Sequence, residues 1–144
     1  MFSNIALALD ESPESARALD KAIAMAKLLG LQLRTITVVE QLPAFAAFAV
    51  AADPSAIATL KEDKSNFYDA LRRRVIAAGS EQGVEVLPSF LEGDRIEVIH
   101  DFVVAEKIDL LVIGLHKRSL RMSSIWSTVY TLAQELPCSM LGVH

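Results

Sequence analysis

The chain has 144 residues with no break in composition, 52% of them hydrophobic and 22% charged. That suits one domain spanning residues 1–144 with a real core, and it excludes a disordered or fibrous chain. A net charge of −4 argues against a nucleic-acid or anionic-membrane surface, because phosphate recognition usually needs a basic face. The single cysteine, Cys138, cannot close an internal disulfide, which fits a reducing compartment. The start "MFSNIALALDES" lacks the basic segment and cleavage site of a signal peptide. No apolar run approaches the about 18 residues that would span a bilayer. The expectation is a soluble cytoplasmic protein.

"NIALALD" (4–10) is a short apolar run ending on a polar turn, the pattern of a strand buried on both faces. In "ESPESARALDKAIAMAKLLG", Ser12 can cap a helix with Pro13 at its first position, and Gly30 closes it. Leu19, Ile23, Ala26 and Leu29 form its inward stripe. "LQLRTITVVE" (31–40) is a second strand. Residues 41–56 make a long apolar connection with Phe45, Phe48 and Val50. It either packs on the domain edge or serves as a lid or interface patch. The longest helix runs from Ser55 to about Gln82, with Leu60, Phe67, Leu71, Val75 and Ala78 on one face. Arg72, Arg73 and Arg74 fall on its solvated side, with Asp69 one turn earlier.

"VEVLPSFLEG" is the third strand, and "GDRIEVIHDFVVAEKI" a helix capped by Asp94, with Ile96, Ile99, Phe102 and Val103 inward. "DLLVIG" (109–114) is the fourth strand, a helix runs from about Ser124 to Leu136, and "PCSMLGVH" is the fifth strand. Strands alternating with helices imply an α/β fold with a parallel sheet, right-handed crossovers and helices on both faces; the expected arrangement is a doubly wound five-stranded sheet of order 3-2-1-4-5. Ligands bind such sheets at the carboxyl ends of the strands, where the order reverses. That point lies between strands one and four, where Asp10 and Gly114 converge.

The whole chain resembles the universal stress protein family, of the A type. The resemblance rests on "IALALDESPESARALDKAIAMAKLLG", "LRTITVVE", "VEVLPSFLEGDRIEVIHDFVVAEKIDLLVIG" and "ELPCSMLGVH" in this order and spacing. Nucleotide-binding members carry G-x2-G-x9-G-[ST] after the fourth strand. Here Gly114 matches the first glycine and Thr128 the final hydroxyl, but Lys117 and Ser127 stand where the other glycines belong. His116 and Arg118 agree with the surrounding family pattern. The resemblance also implies Asp10 near a ribose and base, the Val38 main chain near an adenine, and Val129 beside the loop's end.

Glycines in a phosphate loop permit positive φ and close approach of main-chain N–H groups to an anion. The Lys117 stem and the Ser127 side chain take up that space. Against this, Lys117, Arg118 and Arg121 supply three cations, and Ser123, Ser124, Ser127 and Thr128 four hydroxyls at a helix start. Each also has a plain role as a solvated loop residue or a helix cap. The expectation is no tight ATP binding. No cofactor is required; ATP or a related adenine nucleotide, or another small anion, is the candidate ligand. Asp10 stabilises a helix start, meets a ligand, or does both.

Nothing supports catalysis. His100, His116 and His144 share no metal-ligand spacing, and neither a G-x-S-x-G elbow nor a P-loop is present. Cys138, after Pro137, reads as a buried thiol. The fifth strand is an edge with Met140, Leu141 and Val143, and family members commonly dimerise through it. Trp126, Met122 and Ile125 could add to that surface, core packing being the alternative for Ile125. The resemblance therefore implies a homodimer through 138–144 with no nucleic-acid or membrane partner. The primary expectation is a non-catalytic stress-response regulator with a degenerate nucleotide site. The alternative is an ATP- or ADP-binding switch or weak ATPase using the Lys/Arg/Ser-rich loop.

Overall fold

A computed structural model describes residues 1–39, 53–116 and 126–144, with the side chains of 54, 56, 57, 126 and 127 outside the description. Its elements follow as β1 (Ile5–Ala8), α1 (Pro13–Leu29), β2 (Leu33–Val39), α2 (Pro54–Glu81) and β3 (Val86–Glu92). Then come α3 (Arg95–Ala105), β4 (Leu110–Gly114), α4 (Trp126–Glu135) and β5 (Ser139–Val143). The five strands form one parallel sheet of order β3-β2-β1-β4-β5. The order reverses between β1 and β4, as the expected 3-2-1-4-5 arrangement requires.

Both faces of the sheet are covered, which is why the strands read as continuous apolar runs. Ile5, Leu7, Leu33, Leu110 and Val112 face α1 and α2, where they meet Leu19, Ile23, Leu71 and Val75. Ala6, Ile36 and Leu111 face α3 and α4, against Ile99, Phe102, Val103 and Leu132. Each fully buried Leu, Ile or Val contributes about 1.5–3 kcal/mol.

Helix ends follow their local chemistry. Ser12 Oγ accepts the Ser15 N–H at 3.1 Å, and Pro13 opens α1. Gly30 ends it in the left-handed region at φ 67°, donating to the carbonyls of Ala26 and Lys27. Asp94 accepts from the N–H groups of Ile96 and Glu97 at 3.0 and 3.1 Å. The buried side of α1 includes Ser15, Ala18, Ala22 and Ala26, small residues that let it lie close to the sheet.

Some expectations need correction. Leu60 and Phe67 share the stripe of Leu71 and Val75 but are each 44% exposed. At about 1.5 Å per residue a 28-residue helix is about 42 Å long. The seven residues of β3, at about 3.3 Å each, span about 23 Å. The first half of α2 therefore extends past the sheet that would bury it. Phe67 packs edge-on to Tyr68, and Tyr68 edge-on to Phe90, over whose ring Arg72 lies at 4.9 Å. Leu29, Ala78 and Ile96 are half-buried but pack against the core on the inward side expected of them. Cys138 is half-buried as well, with burial raising its thiol pKa. The connection 41–52, Met122 and Ile125 lie outside the described residues.

The two sheet edges differ. Leu33 N–H donates to Glu85 O at 2.9 Å, so the odd-numbered residues of β3 turn their main-chain groups toward β2. Pro88 then falls on the outward side, where its missing N–H interrupts the free edge. On β5, Ser139 N–H donates to Asp109 O and Val143 O accepts from Leu115 N–H, so the outward groups belong to Met140, Gly142 and His144. No proline interrupts that edge, and Leu141 is 36% exposed.

Candidate functional site

A cleft opens at the carboxyl ends of β1 and β4, with about 640 Å³ of empty space including its solvent-open mouth. Its floor and walls are apolar, with Ile36, Ile99, Ile113 and Leu132 among them. Among the described residues its polar groups are Asp10, Ser15, Arg95, His116 and Thr128. Of the residues singled out in the sequence, the structure brings Asp10, Val38, Gly114, His116, Thr128 and Val129 to this cleft. Lys117, Arg118, Arg121, Ser123 and Ser124 lie outside the described residues, as does the side chain of Ser127.

Asp10 is held by the turn into α1. Its own N–H donates to Ser15 Oγ at 2.9 Å, and its Oδ1 accepts the Ser12 N–H at 2.8 Å. Burial pushes its pKa up, but the Ser12 hydrogen bonds and the charges of His116 and Arg95 outweigh that and leave it below the usual value. Asp10 is therefore an anion at neutral pH. His116 stands between two carboxylates, with Nε2 3.5 Å from Asp10 Oδ2 and Nδ1 3.3 Å from Glu14 Oε2. Glu14 is held below the usual range chiefly by its own main-chain N–H, against burial, with His116 and Arg17 adding to the effect.

Gly114 has a packing reason of its own. A Cβ there would stand 2.8 Å from both Glu14 C and Ser15 N, main-chain atoms of α1 that cannot move aside. Val38 is placed by strand parity. Leu9 N–H donates to Ile36 O, and β1 pairs no further than Ala8 with Ile36. The Val38 main chain, two residues on, thus turns toward the space beyond the end of β1.

Sequence reasoning missed two cleft residues. Ser15, 1% exposed, was one Ser among several near a cap, yet its hydroxyl fixes Asp10. Arg95 enters from the first turn of α3, and its charge acts on Asp10. The available signal was its place: the residue after the Asp94 cap sits at a strand's carboxyl end. A smaller hollow shares Asp10, Val38 and Arg95 and reaches Thr37 and Tyr68 behind them. Among the described residues no cluster of His, Cys, Asp and Glu could hold a metal ion, and no helix is long and apolar enough to cross a membrane.

A doubly wound parallel sheet with an apolar, ion-rimmed cleft at its switch point defines a crevice-type α/β domain. The chain belongs to the universal stress protein family, whose model matches residues 1–144. Its fold is similar to that of universal stress protein UspA from Lactobacillus plantarum, at 21% identity and TM-score 0.74, covering 99% of this chain and 98% of that one. The universal stress protein from Archaeoglobus fulgidus in complex with dAMP is 17% identical, with TM-score 0.63 and coverage of 99% and 98%. An AMP-bound family protein from Arabidopsis thaliana is 13% identical, with TM-score 0.68 and coverage of 98% and 90%. No curated protein matches the chain significantly.

Proposed function

We propose that this protein is a non-catalytic, cytoplasmic stress-response regulator, a homodimer whose nucleotide site is degenerate. One observation carries the reading. The cleft keeps an apolar slot, the Asp10 carboxylate and the Val38 main chain, while the sequence puts Lys117 and Ser127 where two phosphate-loop glycines are expected. A base and sugar find complementary walls; a triphosphate loses the close-packed main-chain N–H groups that glycines provide. Gly114, the one glycine retained, is accounted for by its contact with α1. The dAMP- and AMP-bound family structures support an adenine nucleotide as the candidate ligand class.

Calorimetry on nucleotide-stripped protein tests this with ATP, ADP and AMP, repeated on Lys117→Gly with Ser127→Gly. The expected result is no tight ATP binding by the natural chain and a gain in the double variant. Micromolar ATP affinity in the natural chain would refute the degenerate site.

A second reading, an ATP- or ADP-binding switch or weak ATPase using the Lys/Arg/Ser-rich loop, draws also on Arg95, which adds a cationic group to the cleft rim. ATP affinity together with slow phosphate release would favour it.

Dimerisation is proposed through 138–144. The β5 edge leaves the main-chain groups of Met140 and Gly142 outward beside exposed Leu141, whereas Pro88 interrupts the β3 edge. A monomeric mass by light scattering at micromolar concentration counts against it.

A further inference from the structure

The cleft and the β5 edge meet in one short segment, Leu115–His116. Leu115 faces the edge strand. Its N–H donates to Val143 O at 2.7 Å, and its side chain lies where a Cβ on Gly142 would be, 2.5 Å from Leu115 Cδ1. His116 faces the cleft, between Asp10 and Glu14. Glu14 continues the chain of contacts, its Oε1 lying 3.5 Å from Arg17 Nη2. Arg17 Nε then donates to the main-chain oxygen of His144 at 3.0 Å. The contacts close a ring, His116, Leu115, the end of β5, Arg17, Glu14 and back to His116, with Asp10 attached at His116.

We propose that His116 is the joint of a coupling between the cleft and the β5 edge, so that its charge state sets how firmly that edge is held. A protonated imidazole attracts both Asp10 and Glu14, fixes the first turn of α1, and so orients Arg17 on His144. A neutral imidazole loses that attraction, and the end of β5 loosens. The main-chain groups of Gly142 that a second copy would meet lie beside the segment this ring positions. Among the described residues, the charged and titratable groups around the joint are Asp10 from the turn after β1, Glu14 and Arg17 from α1 and Arg95 from α3, with His144 at the far end of the ring. The effect on self-association rests on the proposed β5 dimer; the coupling within one chain does not.

The test is carried out in a His144→Gln background, which removes that imidazole but keeps the main-chain oxygen that Arg17 meets. The His116 ring and the amides of Leu141–Val143 are followed by NMR from pH 5.5 to 8. The β5 amides are expected to move with the same midpoint as the His116 ring. In His116→Asn the movement is lost. In Arg17→Ala the ring still titrates, but the response at Val143 collapses. Amides that stay still while His116 titrates, or that still move in His116→Asn, overturn the proposal. Sedimentation at pH 6 and 8 forms the second arm. A dimer is expected to dissociate about fivefold more readily at pH 8, the low end of usual coupling strengths. A dimer whose affinity ignores pH overturns the effect on association. A monomer at both values refutes the β5 dimer, while the NMR arm still decides the coupling.

Discussion

Replacing Gly114 with Ala is the sharpest single probe of the site. Gly114 is the first position of the loop pattern, so its presence invites a phosphate-binding explanation. Its surroundings supply another. The added methyl would sit 2.8 Å from Glu14 C, 2.8 Å from Ser15 N and 3.0 Å from Glu14 O. All three belong to the main chain of α1, so the end of β4 and the start of α1 must separate. Forcing one methyl into such a contact costs about 1–3 kcal/mol. For a chain of this size each kcal/mol lowers Tm by about 3–4 °C, so the loss is about 3–12 °C. Thermal and urea unfolding of ligand-free Gly114→Ala should both show it, at unchanged m-value. If the variant is as stable as the natural chain without ligand, the packing explanation is wrong and the glycine is kept for a ligand.

Three further outcomes are expected. Gly79→Ala should destabilise although Ala favours helix by about 1 kcal/mol, because its Cβ meets Val86 Cγ2 and Val84 O, both closer than 3 Å; higher stability in urea would contradict this. Thr35→Val should stabilise by about 1 kcal/mol, since the buried Thr35 Oγ1 has no hydrogen-bond partner among the described residues; a loss by calorimetry would show the hydroxyl is satisfied. Asp109 carries a pH dependence. Burial raises its pKa, but hydrogen bonds from Ser3 and Asn4 leave it below 3.8. Its contribution is therefore complete above its unfolded pKa and is lost as pH falls through the lower folded one. Asp109→Asn should lower stability at pH 7 and flatten its decline below about pH 4, measured by denaturation across that range.

The fold was legible because local and global signals agree. Ser12, Pro13, Gly30 and Asp94 mark helix ends, and the apolar runs have the length of strands buried on both faces. The alternation of elements gave a parallel sheet with covered faces, and the doubly wound order taken with it is the one the strands adopt. Leu60 and Phe67 misled because periodicity reports which face a residue takes, not whether a sheet lies beneath it. The cleft was half legible. Topology placed Asp10 and Gly114 together, and the resemblance added Val38, His116, Thr128 and Val129. Arg95 was hidden because it belongs to a distant helix start and carries no motif. The Glu14–His116 contact was hidden for the same reason: residues about a hundred positions apart meet only once the sheet is wound.

Pro88 has a consequence for assembly. A sheet with two open edges can add copies at both sides and grow without limit. Here one margin lacks a donor in its outward row, while the other offers an unbroken one. Pairing of like edge with like edge consumes the open margin of both copies at once and leaves only interrupted margins outside. If copies pair through β5 as proposed, further growth by strand addition would meet only the margin that Pro88 interrupts, and a single imino acid would act as the chain terminator of a would-be polymer.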